Sequence, residues 1–190
     1  MWEEYFKKHM GRKPRELLVL AVSFCKNKEN ALDLGAGTLI ESKFLVKKGF
    51  KHVLATDSSP EVKIFAKKLK NKKFKFKNIS FHKYNFPKNT FNLINAQYAL
   101  PFYGKRGFKS FIKKITGSLA PKGIFVGQFF GARDSWNNSK SNLAFHTKKQ
   151  ALDLLSGLKI LEFIEEEKDG KDASGEQKHW HVFHFIVQEK

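Results

Sequence analysis

Short apolar runs alternate with segments of helical periodicity along most of the chain. An apolar run bounded by turn residues is typical of a buried strand, and apolar residues spaced three or four apart are typical of a packed helix. The strands predicted in this way are 31–34, 51–56, 74–81, 91–96, 123–130, 159–166 and 180–188. The predicted helices are 3–9, 14–25, 39–48, 60–70, 106–119 and 148–155.

This alternation predicts an α/β fold in which a mostly parallel sheet of seven strands carries helices on both faces. No helix separates the last two predicted strands, so we expect them to form a C-terminal antiparallel hairpin. No repeat or linker divides the 190 residues, so we predict a single domain spanning 1–190. Within it, 1–28 would form a helical lid or cap and 29–190 the core.

A glycine turn follows the strand at 31–34. The segment Ala31–Thr38 is predicted to be a buried strand that leads into this turn and then into a helix. Gly35 and Gly37 have no side chains, so a ligand can lie against the backbone of the turn. The next strand ends at Asp57, which lies 22 residues after Gly35. An acid at that strand tip is placed to bind both hydroxyls of a ribose. The two features together predict a site for an adenosine-containing ligand.

The glycine pattern also bears on which ligand binds. Dinucleotide sites carry a third glycine where the helix begins, so that the helix N-terminus meets a pyrophosphate. This chain has Leu39 instead, and it has no P-loop sequence. S-adenosylmethionine (SAM) has a sulfonium cation and no pyrophosphate, so the pattern favours SAM over a nicotinamide dinucleotide.

Four segments in order resemble the motifs of class I SAM-dependent methyltransferases. They are Asp33–Gly37, Asp57, Phe91–Ala96 and Leu119–Phe125. The resemblance implies a Rossmann-like fold, SAM as cofactor and methyl transfer as the activity.

The resemblance also implies roles for individual residues. The glycine loop would contact the methionine part of SAM, and Asp57 would hold the ribose; its neighbour Ser58 is also implied as a cofactor-binding residue. Asn85 stands where the family usually has an Asp near the adenine amino group, and Phe86 would flank the adenine ring. The implied cofactor residues in the glycine loop are Asp33, Gly35, Ala36 and Gly37.

The two ends of the chain are similar to a narrower group, the small bacterial methyltransferases of the tellurite-resistance type. The segments that carry this similarity are Trp2–Tyr5, Gly11–Leu17, Phe129–Trp136 and Gly175–Phe183. The substrates of that group are mostly unassigned, so the similarity narrows the fold more than the reaction, and a small-molecule or metalloid acceptor is the leading hypothesis.

Residues that follow parallel strands are candidates for the acceptor side. Gln97 and Tyr98 are predicted to line the methyl-donor pocket. Arg133 and Asp134 lie in a loop with Trp136 and would bind substrate or close a lid, unless they form an ordinary ion pair above that indole. No catalytic residue is identified, and the candidates are Tyr98, Arg133, Asp134 and His181.

Three histidines lie close together near the C-terminus. In a strand His179 and His181 share one face and His184 takes the other. No cysteine or evident acidic partner completes a zinc site, so we predict no metal. His181 is retained as a candidate for acid–base work on the acceptor. Arg12 could reach the SAM carboxylate or an anionic substrate, or could lie on a helix surface.

The net charge of +18 raises a second possibility, an RNA methyltransferase. Only four of the 36 basic residues are Arg, and the lysines are spread along the chain, which is also typical of a solvated surface. A non-catalytic SAM-binding module is a third alternative, because no base is identified. No apolar run is long enough for a membrane helix, and the N-terminus lacks a secretory signal, so we expect a cytoplasmic enzyme.

Overall fold

We describe residues 11–172 and 174–190 of a computed structural model of the chain. Its strands are β1 (Asn30–Leu34), β2 (His52–Asp57), β3 (Phe74–Asn78), β4 (Phe91–Ala96), β5 (Leu119–Gly131), β6 (Phe145–His146), β7 (Lys159–Lys171) and β8 (Gln177–Gln188). The helices are α1 (Glu16–Phe24), α2 (Ile40–Lys47), α3 (Val62–Lys68), α4 (Phe108–Gly117) and α5 (Lys148–Leu154), with a 3-10 helix at Leu100–Tyr103.

The strands form one sheet in the order β3-β2-β1-β4-β5-β8-β7, and the two-residue β6 pairs beside the end of β5. The neighbours from β3 to β5 are parallel, whereas β8 runs antiparallel to both β5 and β7. The predicted Rossmann-like α/β fold with a C-terminal hairpin is therefore confirmed. Strand order reverses between β1 and β4, the position at which open α/β sheets bind ligands.

The two faces of the sheet bury alternate residues of each strand. Ala31 packs in a cluster with Leu18 of α1, and its neighbour Leu32 packs in another cluster with Phe111 of α4. This alternation is what a strand covered on both faces requires. No helix within 11–172 and 174–190 has the length and apolarity needed to span a bilayer.

Several boundaries differ from those predicted. The hairpin strands β7 and β8 extend toward the turn beyond the predicted 159–166 and 180–188, because cross-strand pairs of charged and histidine side chains continue the ladder. Strand β3 ends at Asn78 instead of 81. The predicted helix 3–9 lies outside the described residues.

Candidate functional site

A cavity of about 380 Å³ opens at the carboxyl ends of β1, β2 and β4, where the strand order reverses. Loops after these three strands and residues before α1 form its walls. The structure brings nine of the residues singled out from the sequence to this cavity: Arg12, Asp33, Gly35, Ala36, Gly37, Asp57, Ser58, Gln97 and Tyr98.

The carboxylate of Asp57 joins two of these loops. Its Oδ2 accepts the backbone N–H of Gly37 at 2.9 Å, and its Oδ1 accepts the N–H of Ser59 at 2.8 Å. Burial raises the pKa of Asp57 above its ordinary value, and the two N–H donors oppose that rise. Each carboxylate oxygen has a second lone pair, so Asp57 can accept two further hydrogen bonds, as a ribose diol requires.

Gly35 lies where the chain passes closest to the loop after β4. A Cβ on Gly35 would stand 2.6 Å from the Cβ of Ala99, and the φ angle of Gly35 is +67°. Both the close approach and the left-handed backbone exclude larger residues. The turn is therefore built around glycine for a steric reason.

Leu39 adopts a conformation that glycine usually supplies. Its φ angle is 61°, in the left-handed region, and it caps the N-terminus of α2. Its side chain is fully buried in a cluster with Ala36, Ala55 and Val62. A leucine in this conformation costs about 1–2 kcal/mol of backbone energy, which its buried side chain offsets.

Asp33 is the most deeply buried acid of the site. Its carboxylate accepts the hydroxyl of Ser42 at 2.5 Å and the amide Nδ2 of Asn95 at 2.7 Å. Burial raises the pKa of Asp33 to about 7, and the nearby Glu41 adds to the rise. Because Asn95 donates to Asp33, its Oδ1 is left as an acceptor, and this atom is buried without a hydrogen-bond partner among the described residues.

Two arginines supply donors to the same cavity. Arg12 pairs with Glu41 at 2.7 Å, and the guanidinium of Arg15 lies 4.5 Å from the centre of the Tyr98 ring. The Nε atoms of both arginines are buried and have no hydrogen-bond partner among the described residues. Sequence reasoning missed Arg15 and Glu41, although Glu41 stands in the first turn of the helix after the glycine loop.

The structure places Asn85 and Phe86 away from the cavity. Asn85 lines a second, smaller depression near the amino end of the sheet, and Phe86 packs edge-on against Tyr84 at 4.7 Å. Neither residue lines the cavity, and their contacts with the adenine stay predictions. Asn78 stands at the tip of β3 beside Asp57, and Phe81 lines the cavity.

Asp134 likewise lies outside the cavity lining. It is buried and forms an ion pair with the ammonium group of Lys178. That ammonium lies 4.2 Å from the ring centre of Trp136 and 4.3 Å from that of Trp180. The pairing of Arg133 with Asp134 considered above does not occur, because Lys178 takes the aspartate and two indoles enclose the pair.

Arg133 and His181 belong to an ion network along the hairpin. Arg133 donates to Glu167 at 2.6 Å and to Glu165 at 3.1 Å, and His181 lies 3.1 Å from the same Glu165. His181 is buried and accepts the backbone N–H of Arg133 through Nδ1. The network holds the loop after β5 on the hairpin, and neither residue lines the cavity.

The other two histidines also pair with acids of β7. His179 lies 2.7 Å from Asp169, and His184 lies 3.2 Å from Glu166. These acidic partners were not evident in the sequence, because it is the hairpin that brings β7 carboxylates opposite β8. Within the described part of the chain, no group of three or more acidic, histidine or cysteine side chains has metal-binding geometry.

Comparisons with known proteins agree with this geometry. Residues 32–127 match the family model described as a methyltransferase domain. This match spans the glycine loop, Asp57 and the parallel strands β2 to β4. No curated protein sequence matches the chain significantly.

Solved structures share the fold at low sequence identity. TehB from Haemophilus influenzae is 17% identical, with a TM-score of 0.77, and covers 100% of this chain and 67% of its own. A SAM-dependent methyltransferase from Methanosarcina mazei is 18% identical, with a TM-score of 0.69, and covers 94% of this chain and 99% of its own. A SAM-dependent methyltransferase from Mesorhizobium loti is 16% identical, with a TM-score of 0.69, and the match covers 90% of this chain and 95% of that protein.

Proposed function

Because the chain belongs to the SAM-dependent methyltransferase domain family, we propose that it transfers the methyl group of SAM to a small-molecule or metalloid acceptor. The family fixes the donor and the reaction type.

The polar groups of the cavity match the chemistry of SAM. Asp57 has free lone pairs for a ribose diol, and Phe81 offers a ring to a purine. The unpartnered Nε atoms of Arg12 and Arg15 suit a carboxylate, and the unpartnered Oδ1 of Asn95 suits an ammonium. These residues would hold the adenosine and amino-acid ends of the cofactor.

When bound, SAM supplies an activated methyl group for displacement by a nucleophile. The residues of this chain contribute binding and alignment, since a well-oriented pair of reactants gains much of its rate from proximity alone. Tyr98 and Phe102 line the cavity beside the glycine loop and can exclude water from the reacting groups. A dedicated base is required only for an acceptor that must lose a proton.

The size of the cavity is the observation that supports a small acceptor. Its volume of about 380 Å³ stands near the lower end for ligand pockets, which run from about 300 to 1,000 Å³. A cavity of this size, which must also hold SAM, favours a small acceptor.

The test is formation of S-adenosylhomocysteine (SAH) from SAM with a panel of small acceptors: tellurite, selenite, small thiols, phenols and carboxylates. We expect turnover with one of these classes and none with the Asp57→Ala variant. Turnover with tRNA or rRNA alone, and with none of the small acceptors, would contradict the proposal.

An RNA acceptor is the second candidate, and a basic edge of the sheet favours it. Eight lysines and no acid lie between residues 63 and 77, along α3 and the edge strand β3. All eight are exposed, and none forms an ion pair with a described residue. If RNA is the acceptor, filter binding should show an affinity for tRNA or rRNA that falls steeply with salt, and its absence at low salt removes this candidate.

A further inference from the structure

Gln128 is a buried amide on β5 that does not line the cavity yet touches the residues that do. It is 1% exposed, and its side chain contacts the loop after β4 at two points. Its Oε1 accepts the backbone N–H of Tyr98 at 2.8 Å, and its Nε2 donates to Oε1 of Gln97 at 2.6 Å. A buried polar side chain with such contacts constrains its neighbours strongly.

The orientation of these amides follows from one fixed donor. A backbone N–H can only donate, so the atom of Gln128 that faces Tyr98 must be its oxygen. The amide nitrogen of Gln128 therefore faces Gln97. The atom of Gln97 that accepts from this nitrogen must be its oxygen, Oε1. This leaves the Nε2 of Gln97 as the group that this cavity-lining side chain can offer to a ligand.

His184 and Glu166 support the same arrangement from the hairpin. The Nδ1 of His184 lies 3.5 Å from the Nε2 of Gln128, and its Nε2 lies 3.2 Å from Glu166. A neutral ring that accepts at Nδ1 and donates at Nε2 fits both contacts. Burial lowers the pKa of His184, which favours that neutral form.

The Nε2 of Gln97 is buried and has no hydrogen-bond partner among the described residues. Arg12 and Arg15 have unpartnered Nε atoms in the same cavity wall. All three donors belong to residues that line the cavity, and an unmatched buried donor calls for an acceptor, which SAM carries at its amino-acid end as the carboxylate.

We propose that Gln128 is a positioning residue that fixes the amide of Gln97 so that its Nε2 donates to the amino-acid end of SAM. The inference rests on the proposed SAM site and adds to it a residue that does not touch the ligand. Two ligands distinguish the loss of this one contact from the loss of the whole SAM site. SAH has the amino-acid end, and 5′-methylthioadenosine lacks it but keeps the adenosine.

The experiment measures the affinities of both ligands by calorimetry for the wild type and for three variants, Gln97→Met, Gln128→Met and Gln128→Glu. Gln188→Met is the matched control, since Gln188 lies at the far end of β8, where its amide donates to the carbonyl of Lys122. We expect about a tenfold or greater loss of SAH affinity in the Gln97→Met and Gln128→Met variants, as for a lost bond to a charged group. The affinity for 5′-methylthioadenosine should stay within about twofold of the wild type in both.

The Gln128→Glu variant tests the orientation itself. A carboxylate at 128 can still accept from Tyr98 but cannot donate to Gln97, so Gln97 should turn its nitrogen inward and its oxygen toward the ligand. We expect this variant to lose more SAH affinity than Gln128→Met, and its His184 ring to become doubly protonated in nitrogen-15 spectra.

Unchanged SAH affinity in Gln97→Met and Gln128→Met, with wild-type binding intact, overturns the inference and leaves the SAM site standing. Equal losses for SAH and 5′-methylthioadenosine also overturn it, because they indicate general damage to the cavity. Failure of the wild type to bind either ligand overturns the proposed function as well.

Discussion

The backbone N–H of Gly37 donates to Oδ2 of Asp57 at 2.9 Å, so the tip of β2 holds the turn that follows β1. Two features separated by 20 residues in sequence are thus one structural unit. The carboxylate orders the glycine loop and keeps lone pairs for a diol. Substitutions in this unit are therefore expected to affect loop order and ligand affinity together.

Replacing Gly35 with Ala should damage both the fold and the site. The added Cβ would meet Ala99 at 2.6 Å, and the backbone φ angle of +67° disfavours any side chain. We expect a lower melting temperature and at least about a tenfold loss of SAM affinity by calorimetry. Gly117→Ala is the control, since a Cβ there meets nothing within 4 Å and no positive φ is involved. Equal behaviour of the two variants would contradict the steric role of Gly35.

At position 39, substitution by glycine should destabilise the protein less than substitution by alanine. Both changes remove the buried leucine side chain and cost about 2–5 kcal/mol of unfolding free energy. Glycine also relieves the left-handed backbone, where Leu39 has a φ angle of 61°. We expect Leu39→Gly to be about 1 kcal/mol more stable than Leu39→Ala in urea unfolding. The reverse order, which is usual within helices, would show that residue 39 is not left-handed in solution.

The stability of the ligand-free protein should depend on pH through Asp33. Its pKa is raised from 3.8 to about 7, so the folded protein retains a proton that the unfolded chain releases. The stabilising contribution is complete below about pH 4 and is lost as the pH rises through about 7. We expect the wild type to lose up to about 1.4 kcal/mol per pH unit relative to Asp33→Asn across this range.

Urea unfolding of the two proteins between about pH 4 and pH 7 measures that difference. Asp33→Asn is the reference because an amide does not titrate and has nearly the same shape. If the difference in unfolding free energy between the two proteins stays constant with pH, Asp33 has an ordinary pKa.

The buried pair of Lys178 and Asp134 should matter for stability and not for SAM binding. Removing the ammonium in Lys178→Met leaves a buried carboxylate unpaired, at a cost of about 3–5 kcal/mol. Adding Asp134→Asn should recover most of that loss, because the amide oxygen can still accept the N–H of Trp136. Thermal melts and SAM calorimetry test both statements, and loss of SAM affinity in a folded double variant would restore Asp134 as a site residue.

Much of the fold and the cofactor site could be predicted from the sequence because both depend on local patterns. Apolar strands alternate with helices, and the glycine turn and Asp57 stand at fixed strand ends, so topology brings them together. The segment after β3 was harder to place: β3 ends at Asn78 instead of 81, and Asn85, the expected neighbour of the adenine, lines a different depression.

Three of the acceptor-side candidates lie outside the cavity for a different reason. Arg133, Asp134 and His181 look reactive in sequence, but their partners come from β7 and the far part of β8. Pairing across a hairpin depends on register, which the sequence does not specify. Gln128 was missed for the opposite reason. A single glutamine in an apolar strand gives no sequence signal, and its role becomes evident only from its contact with the loop after β4.

Asp57 is the residue on which the SAM site depends most, and SAM calorimetry of Asp57→Ala tests this site directly. The control is Asp153→Ala, because Asp153 is exposed on α5 and does not line the cavity. With folding of both variants checked by thermal melting, we expect Asp57→Ala to lose at least about tenfold in SAM affinity and the control to match the wild type. An Asp57→Ala affinity within about twofold of the wild type would contradict the assignment of this cavity as the SAM site.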